Sequence, residues 1–526
     1  MKQSARSSRG MVTSPHALAT QCGVDVLASG GNAIEAAIAT VASLCVTYPH
    51  FCGLAGDAFL LIGDAKGQVQ TISGIGQAAA DISGYQCSIP VRGARSALSS
   101  AATVDALGQA LEISRSQLAG QKSWGELLAP AIRLAREGFE ISASERFWLN
   151  FRLPEAVALP DVYRTFLHDG QLPPTGFVRQ QAALAHTLEM LAERGPRDFY
   201  EGALAQRIAL GLREAGSPLT AHDLAATRAR IEPPLCMPYR GGELLAHQPP
   251  TQGLSTLQIM GLLERFDLQA VAEGSADFYH LLVEAVKQSF MDRNRYVADP
   301  EFAQVPVARL LSPSHLDARA QAIDLALALP WPHAYQTGDT VYVGAADAAG
   351  NTVSLLATVY YDWGSGVLAG DTGMLWHNRG ASFSLDPAHP NALAPGKRPF
   401  HTLNPGMYRK DGRVQLLYGT QGADGQPQTL AAVLTRLIDY GLDALDALSR
   451  PRFLLGKTFS DGSDSLKLEE DTAPDVVAEL RRRGHTLSLL AAHNPLMGHP
   501  GAIRIDAEGH MTGAHDPRSD GLALGL

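Results

Sequence analysis

Apolar residues follow two different spacings along the chain, and the change from one to the other predicts an α+β fold. An alanine-rich apolar run at residues 33–48 predicts a buried helix, and the Gly30-Gly31 pair ends the segment before it. Two short apolar runs, at residues 58–62 and 69–72, lie on either side of a Lys-Gly turn. This arrangement is typical of a hairpin, so we expect the first sheet to be antiparallel.

The middle of the sequence has the apolar spacing of helices. Residues 101–263 follow this pattern, and residues 278–296 predict an amphipathic helix. The stretch 311–336 has weak periodicity, and its last part is interpreted as a surface linker. Short strands and glycine turns return after it, with helices predicted at 431–440 and 474–483. We therefore expect strands at both ends of the chain and helices between them.

The linker leads to Asp339-Thr340, which opens a predicted strand. A second apolar run at residues 352–358 follows a turn. Further on, the glycine-rich loop 419–428 comes directly after an apolar strand, where free backbone N–H groups can hold an oxyanion. A plain turn with positive φ explains the same glycines equally well. The loop 395–402 places two cations, a histidine and a threonine between prolines, either as a fixed binding loop or as a solvated surface.

Composition and charge narrow the classes of partner. The 526-residue chain has a formal net charge of -10 and no basic runs, which argues against nucleic acid. Its longest apolar stretch is too short to span a bilayer, and its first residues show no signal-peptide pattern. The five cysteines are scattered and are expected to stay reduced. These features predict a cytoplasmic protein without a membrane partner.

Motifs for a metal ion or a cofactor are weak. The chain has no H-E-x-x-H pattern, and its late histidines have loop spacing. Residues 74–79 fit G-x-G-x-x-A, but they lie between predicted hairpin strands, which favours a plain turn over a dinucleotide loop. The G-x-S-x-G elbow of a serine hydrolase is also absent from the sequence. We therefore expect neither a metal nor a cofactor.

Ordered matches along nearly the whole chain resemble the γ-glutamyltranspeptidase family of N-terminal-nucleophile hydrolases. The matches lie at residues 30–33, 53–57, 128–132, 249–253, 339–340, 347–351, 364–366, 395–399 and 422–428. The resemblance implies a four-layer α-β-β-α sandwich and a precursor that cuts itself between Asp339 and Thr340. It further implies that fragments 1–339 and 340–526, the large and small subunits, remain one structural unit, with a possible dimer of these heterodimers.

The resemblance assigns the chemistry to Thr340. Once this threonine is a chain terminus, its own α-amino group, with an ordinary pKa of about 7.7–8.0, suits the role of base. Thr358 matches the family threonine that hydrogen-bonds the nucleophile. Gly422 and Ala423 match the oxyanion pair, in which the second residue is normally glycine. Alanine keeps the N–H group, so the resemblance implies a working oxyanion hole.

The departures from the family pattern lie in the substrate pocket. No arginine occurs at residues 73–79, where the family has the one that grips a glutamyl α-carboxylate. Ser382 stands where the family has an acidic residue, and Tyr360 stands where it has an asparagine. Arg379 replaces a glutamine, and His401 with Thr402 replaces a pair of serines. The bulk of Tyr360 predicts a smaller acyl pocket. Arg379 and His401 are predicted to supply positive charge to a short carboxylate near the scissile amide.

Three functional hypotheses follow from these replacements. The first is a self-cleaving threonine amidohydrolase for a small anionic amide, similar to the family's branch in purine (uric acid/allantoin) degradation. The second is a γ-glutamyltransferase, a glutathione hydrolase or a cephalosporin-acylase-like amidase, which shares every catalytic residue. The third is a non-catalytic binding protein on the same scaffold, which the intact Asp339-Thr340 junction makes the weakest.

Overall fold

Two large sheets form the centre of the molecule. A computed structural model describes residues 3–331, 338–457 and 463–526. In chain order its strands are β1 (Ala5–Ser7), β2 (Gly10–Ser14), β3 (Asp57–Gly63), β4 (Val69–Gly74), β5 (Phe139–Glu140), β6 (Val178–Arg179), β7 (Arg230–Glu232), β8 (Leu235–Tyr239), β9 (Gly242–Ala246), β10 (Asp339–Asp347), β11 (Thr352–Tyr360), β12 (Gly406–Lys410), β13 (Arg413–Gly419), β14 (Phe453–Gly456), β15 (Ser465–Glu469), β16 (Leu487–Leu490), β17 (Gly501–Ile505), β18 (Met511–His515) and β19 (Leu522–Gly525).

Helices cover these sheets on their outer faces. In chain order they are α1 (Ala17–Ala28), α2 (Ala33–Thr47), α3 (Thr103–Gln117), α4 (Trp124–Glu137), α5 (Ala143–Phe151), α6 (Leu153–Ala158), α7 (Pro160–Phe166), α8 (Ala182–Arg194), α9 (Asp198–Glu201), α10 (Ala203–Ala215), α11 (Ala221–Ala226), α12 (Gly253–Leu263), α13 (Ala276–Tyr296), α14 (Val307–Leu310), α15 (Pro313–Gln321), α16 (Gln426–Ile438), α17 (Ala444–Ser449) and α18 (Pro474–Arg482). Short 3-10 turns lie at Ala94–Ser96, Leu268–Ala270, Gly370–Thr372, Arg379–Ser382, Ala423–Gly425 and Pro495–Met497.

Each large sheet has seven strands and is antiparallel throughout. The first has the order β1-β18-β17-β13-β12-β9-β8, and the second has the order β19-β2-β10-β11-β3-β4-β7. The smaller sheets are β14-β15-β16, whose last pair is parallel, and β5-β6. The expected hairpin before residue 74 is β3 with β4, so the predicted antiparallel first sheet is confirmed.

The apolar side chains sort into layers. Between the two sheets, Met11 and Leu61 from the second sheet pack against Met407, Leu417 and Ile503 from the first. A larger cluster joins the outer face of the second sheet to α2 and its neighbours, and another joins the first sheet to α12, α13 and α16. The order helix, sheet, sheet, helix is the expected α-β-β-α sandwich.

Helix α2 shows how local sequence fixes an element of this core. Asn32 accepts a hydrogen bond from the Glu35 amide at 3.1 Å, and Glu35 accepts one from the Asn32 amide at 2.9 Å. This capping box satisfies two donors that the first helical turn leaves free. The Ala33 amide donates to Asp347 Oδ2 at 3.0 Å, which ties the helix start to the end of β10. Every residue of α2 is buried, as its apolar run predicts.

Some predicted boundaries were wrong. Strands β5 to β9 interrupt the region 101–263 that was expected to be helical. In β8, for example, buried and exposed residues alternate instead of following a helical stripe. Helix α16 begins at Gln426, five residues before its predicted start. Helix α15 lies in the first half of the weakly periodic stretch 311–336, ahead of the part interpreted as a linker, and residues 332–337 lie outside the described part of the chain. Among the described residues, no helix is both long and apolar enough to cross a bilayer.

Candidate active site

Thr340 lies at the start of β10 with almost no exposed surface. Asp339 and Thr340 are each 2% exposed, so the bond between them is buried in the uncleaved chain. In the β10–β11 ladder, Asp339 pairs with Tyr360 and Val341 pairs with Ala357, so the register shifts by one residue at Thr340. Such bulges bend a strand and redirect its side chains, and this one lies at the predicted cleavage site.

The carbonyl group of Asp339 is held by Thr358 on the neighbouring strand. The Thr358 hydroxyl donates to this carbonyl oxygen and accepts from the Tyr360 amide at 2.7 Å. In the uncleaved chain Thr358 therefore contacts the carbonyl that Thr340 is predicted to attack, instead of the Thr340 hydroxyl. A donor on that oxygen withdraws electrons from the carbonyl carbon, which favours attack.

The Asp339 side chain is buried against Gln421. Gln421 Nε2 donates to Asp339 Oδ1, whereas Asp339 Oδ2 has no hydrogen-bond partner among the described residues. Burial, and then the Asp362 carboxylate, raise the pKa of Asp339 well above its ordinary value. Asp362 itself forms ion pairs with Arg92 at 2.9 Å and with Arg152 at 2.6 Å. This environment favours a protonated carboxyl on the residue before the predicted cleavage site.

The first residue of α16 reaches the Thr340 hydroxyl. Gln426 Nε2 lies 3.4 Å from Thr340 Oγ1, and Gln426 Oε1 accepts from the Asn404 amide at 3.2 Å. The second bond fixes the orientation of the Gln426 amide group. Thr340 therefore faces the helix that directly follows the predicted oxyanion loop.

Gly422 and Ala423 have positive φ angles in that loop. The angles are 127° for Gly422 and 45° for Ala423. Positive φ angles favour glycine, and a residue with a Cβ atom adopts them at a cost of roughly 1–2 kcal/mol. Gln252 Nε2 donates to the Ala423 carbonyl at 2.6 Å and to the Thr402 carbonyl at 2.7 Å. Gln252 therefore connects the loop to the predicted substrate-binding segment.

Arg379 places a fully buried cation beside Tyr360. Its guanidinium carbon lies 3.7 Å from the centre of the Tyr360 ring, and its Nη2 donates to Thr402 Oγ1 at 3.3 Å. Its Nε and Nη1 have no hydrogen-bond partner among the described residues. Because Tyr360 pairs with Asp339, this cation is next to the cross-strand pair at the predicted cleavage site. A buried guanidinium with open donors is an electrostatic site for an anion.

His401 supplies a neutral ring instead of the expected positive charge. Burial, and then the charge of Arg379, lower the pKa of His401 to about 3, so its ring is uncharged at neutral pH. His401 Nε2 lies 3.1 Å from Asp57 Oδ2, and His377 Nδ1 lies 3.6 Å from the same oxygen. The expectation of a second cation was wrong because the sequence shows neither the burial of His401 nor its proximity to Arg379.

Asp57 is a buried group that sequence reasoning did not assign to the site. It accepts from the Gly76 amide at 2.8 Å, and it pairs with Thr358 across β3 and β11. Burial alone would raise the pKa of Asp57, but His377 and His401 outweigh burial and lower it. The feature of the sequence that could have indicated Asp57 was its position at the end of the glycine turn 53–57. Sequence reasoning also missed the side-chain amides of Gln252, Gln421 and Gln426.

The remaining predicted residues lie around Arg379. Ser382 ends the 3-10 turn that begins at Arg379, and its hydroxyl donates to the Phe400 carbonyl at 3.4 Å. Thr402 contacts Arg379 through its hydroxyl. The structure thus brings Tyr360, Arg379 and Thr402 into direct contact, and it places Ser382 at the edge of this group.

His401 and several further buried histidines predict acid sensitivity of the folded chain. The pKa values of His16 and His515 are lowered to about 4, and those of His247, His401, His485 and His499 to about 3, first of all by burial. Unfolded histidines bind protons at about 6.5. Below that pH the unfolded chain therefore binds more protons, and each histidine removes about 1.4 kcal/mol of stability per pH unit until its lowered pKa is reached.

We expect the apparent free energy of unfolding in urea to fall steeply from pH 6.5 to pH 4. His499→Leu should make that slope shallower by about 1.4 kcal/mol per pH unit, because both ring nitrogens of His499 lack partners among the described residues. His186→Gln, at an exposed side chain, is the control and should leave the slope unchanged. Circular dichroism during urea titration at several pH values measures this, and a flat profile would contradict the expectation.

Comparison with known proteins decides the family. The model of the gamma-glutamyltranspeptidase family matches residues 19–526. The chain is also 44% identical to the oxamate amidohydrolase proenzyme of Klebsiella pneumoniae subsp. pneumoniae, over 100% of both chains. This chain belongs to the γ-glutamyltranspeptidase family. It is therefore an enzyme of the N-terminal-nucleophile type that acts on amide C–N bonds, and the binding-protein hypothesis is set aside.

Other members of the γ-glutamyltranspeptidase family resemble the chain over its whole length. It is 38% identical to the glutathione hydrolase-like YwrD proenzyme of Bacillus subtilis, over 100% of both chains. The crystal structure of cephalosporin acylase from Bacillus halodurans superposes with a TM-score of 0.90 and 31% identity, covering 100% of this chain and 97% of that one. These similarities confirm the predicted N-terminal-nucleophile fold.

Proposed function

We propose that this chain is a proenzyme that cuts itself between Asp339 and Thr340 and then hydrolyses oxamate to oxalate and ammonia. The observation that carries the proposal is the buried Arg379 guanidinium, which keeps two nitrogens open over the ring of Tyr360, the residue that pairs with Asp339 across the strands. Similarity to the Klebsiella oxamate amidohydrolase proenzyme supports the same substrate. The fragments 1–339 and 340–526 stay together because strands from both lie side by side in each large sheet.

In the first reaction the Thr340 hydroxyl attacks the carbonyl carbon of Asp339. The peptide C–N bond breaks, the hydroxyl proton passes to the released amine, and Asp339 becomes an ester on Thr340 Oγ1. Water then hydrolyses the ester, which gives Asp339 a free carboxylate and Thr340 a free hydroxyl and α-amino group. The contacts of Thr358 with the carbonyl oxygen and of Gln426 with the hydroxyl support this geometry.

In the second reaction the same hydroxyl attacks the amide carbon of the substrate. The α-amino group of Thr340 takes the hydroxyl proton and passes it to the nitrogen, which leaves as ammonia when the C–N bond breaks. The N–H groups of Gly422 and Ala423 stabilise the negative oxygen of the tetrahedral intermediate. Water hydrolyses the resulting oxalyl ester, which releases oxalate and restores the threonine.

Arg379 accounts for the choice of a short anionic acyl group. In oxamate the carboxylate is bonded directly to the amide carbon, so its cation must lie close to the nucleophile. A guanidinium offers parallel N–H donors that match both oxygens of a carboxylate. Tyr360 and Thr402 fix the position of this guanidinium, and Tyr360 also fills space that a longer acyl chain needs.

A γ-glutamyl substrate is the second candidate, favoured by the similarity to the Bacillus relative. The segment where the family binds its α-carboxylate argues against it. A Cβ atom on Gly76 would lie 1.4 Å from the Ser100 carbonyl oxygen, so Gly76 cannot be replaced by the missing arginine without moving the backbone. The Gly76 amide of this segment is also occupied, because it donates a hydrogen bond to the buried Asp57.

Ammonia release from a panel of amides tests the proposed substrate. Oxamate is expected to exceed its uncharged isostere oxamide in kcat/KM by about 30- to 150-fold, because a charge-assisted carboxylate pair contributes roughly 2–3 kcal/mol. γ-Glutamyl-p-nitroanilide and glutathione serve as competing substrates. Turnover of these two without turnover of oxamate would replace the proposal with the glutathione hydrolase hypothesis.

A further inference from the structure

A buried polar cluster lies on one face of α13. His280, Glu284 and Lys287 follow one another at intervals of four and three residues, so their side chains lie on the same face of the helix. They are 0%, 1% and 2% exposed, respectively. None of them belongs to the site around Thr340, and burial of an ion pair this deep requires well-placed partners.

The partners of this cluster are backbone groups of the segment 324–329. Lys287 Nζ donates to the Leu329 carbonyl at 2.7 Å and to Glu284 Oε1 at 2.7 Å. The Leu329 amide donates to Glu284 Oε2 at 3.2 Å. His280 Nε2 lies 2.8 Å from the Asp324 carbonyl oxygen. Both ends of the segment are thus bound to α13.

Residues that follow α18 hold the same segment from the other side. The Ala328 amide donates to the Arg483 carbonyl at 2.8 Å, and an Arg483 guanidinium nitrogen donates to the Leu325 carbonyl at 3.2 Å. His485 Nε2 lies 2.8 Å from His280 Nδ1. The segment is therefore bound by residues that precede the predicted cleavage site in the chain and by residues that follow it.

Apolar packing does not account for this attachment. Leu325, Leu327 and Leu329 are 56%, 61% and 37% exposed, so the leucines of the segment lie largely in solvent. A metal ion bridging His280, Glu284 and His485, which are close enough to share one, is also disfavoured. The Lys287 ammonium group already donates to the Glu284 carboxylate, and His280 Nδ1 and His485 Nε2 are hydrogen-bonded to each other.

We propose that His280, Glu284, Lys287, Arg483 and His485 form a docking site for the chain's own segment 324–329, and that this site positions the Asp339-Thr340 bond for cleavage. The inference rests on the proposed self-cleavage. Leu329 precedes Asp339 by ten residues, a span of at most about 36 Å, so a docked Leu329 keeps the chain that enters β10 within that distance of the cluster. After cleavage the segment stays docked, because leaving would strip the buried Glu284 and Lys287 of their backbone partners.

The double variant Glu284→Gln/Lys287→Met tests the docking site. It removes both charges together and so leaves no unpaired buried ion. We expect self-cleavage of freshly refolded chain to slow at least tenfold on a denaturing gel. Once cleaved, the variant should hydrolyse oxamate with unchanged kcat and KM, and limited proteolysis should trim its first fragment back past residue 324. Unchanged cleavage in a folded variant would overturn the proposal.

A second variant keeps the test decisive if the double variant does not fold. Leu329→Pro removes the amide that donates to Glu284 and leaves every side chain of the cluster unchanged. Leu327→Ala, at an exposed side chain of the same segment, is its matched control. Slower cleavage in Leu329→Pro alone supports the docking site, and equal rates in both variants overturn it. Cleavage that persists in Thr340→Ala would instead overturn the proposed self-cleavage itself.

Discussion

Replacing Thr340 with alanine is expected to leave the chain uncut and to lower amide hydrolysis by on the order of 10⁶ in kcat, as removal of a nucleophile does. Alanine has no oxygen to attack either the Asp339 carbonyl or a substrate amide. Among the described residues, the Thr340 side chain forms one hydrogen bond, accepted from Gln426 Nε2 at 3.4 Å, so the fold should be retained. The mass of the purified chain shows whether it is cut, and ammonia release shows turnover.

Thr340→Ser is the matched control for this variant. Serine keeps the hydroxyl and the α-amino group, so it should cut itself and turn over substrate, though more slowly. Two fragments with masses of 1–339 and 340–526 in the alanine variant would contradict the assignment of Thr340. The same result would leave the family and the fold untouched, because both rest on full-length similarity.

Replacing Arg379 with methionine is expected to raise KM for oxamate by about 30-fold or more while self-cleavage continues. The guanidinium is proposed to hold the substrate carboxylate, and a lost charge-assisted bond costs roughly 2–3 kcal/mol. The thermal midpoint of the variant should stay level or rise. Nε and Nη1 of Arg379 are buried without partners among the described residues, so the free enzyme loses an unfavourable buried charge.

Arg452 is the matched control for Arg379, since both are fully buried arginines. Arg452 donates to three backbone carbonyls, Leu448, Met497 and Gly498, and forms an ion pair with Asp516. Arg452→Met should therefore lower the thermal midpoint strongly, whereas Arg379→Met should not. A loss of self-cleavage or of stability in Arg379→Met would show a structural role in place of substrate binding.

Local order in the sequence predicted individual elements, whereas the sandwich layers and the role of Thr340 were inferred from the resemblance to the γ-glutamyltranspeptidase family. The apolar run of α2, the β3–β4 hairpin and the dipeptide Asp339-Thr340 are each visible within a few residues. Strands β7 to β9 were missed because each is short and lies beside helices in the chain. The partner of β7 is the distant β4, and β9 joins the distant β12, although β8 and β9 form a hairpin with each other.

The electrostatics of the candidate site could not be predicted from the sequence. His401 and Asp57 are separated by 344 residues, yet their side chains lie 3.1 Å apart. Burial and Arg379 together make the His401 ring neutral, so the positive charge expected from its residue type and its loop is absent. Arg379 was identified because it is an unusual cation within a recognisable motif. Its open nitrogens and its contact with Tyr360 became visible only in three dimensions.

The buried carboxyl of Asp339 gives the proposed maturation a direction. Burial and Asp362 raise its pKa, so the uncut chain favours a protonated carboxyl here more than water does for the same side chain. When the cut end leaves the site, that proton is released and the new α-carboxylate adds a second negative charge. Return of the end would require taking up the proton and desolvating both carboxyl groups. The proposed maturation would thereby empty the site for substrate and oppose re-formation of the peptide bond.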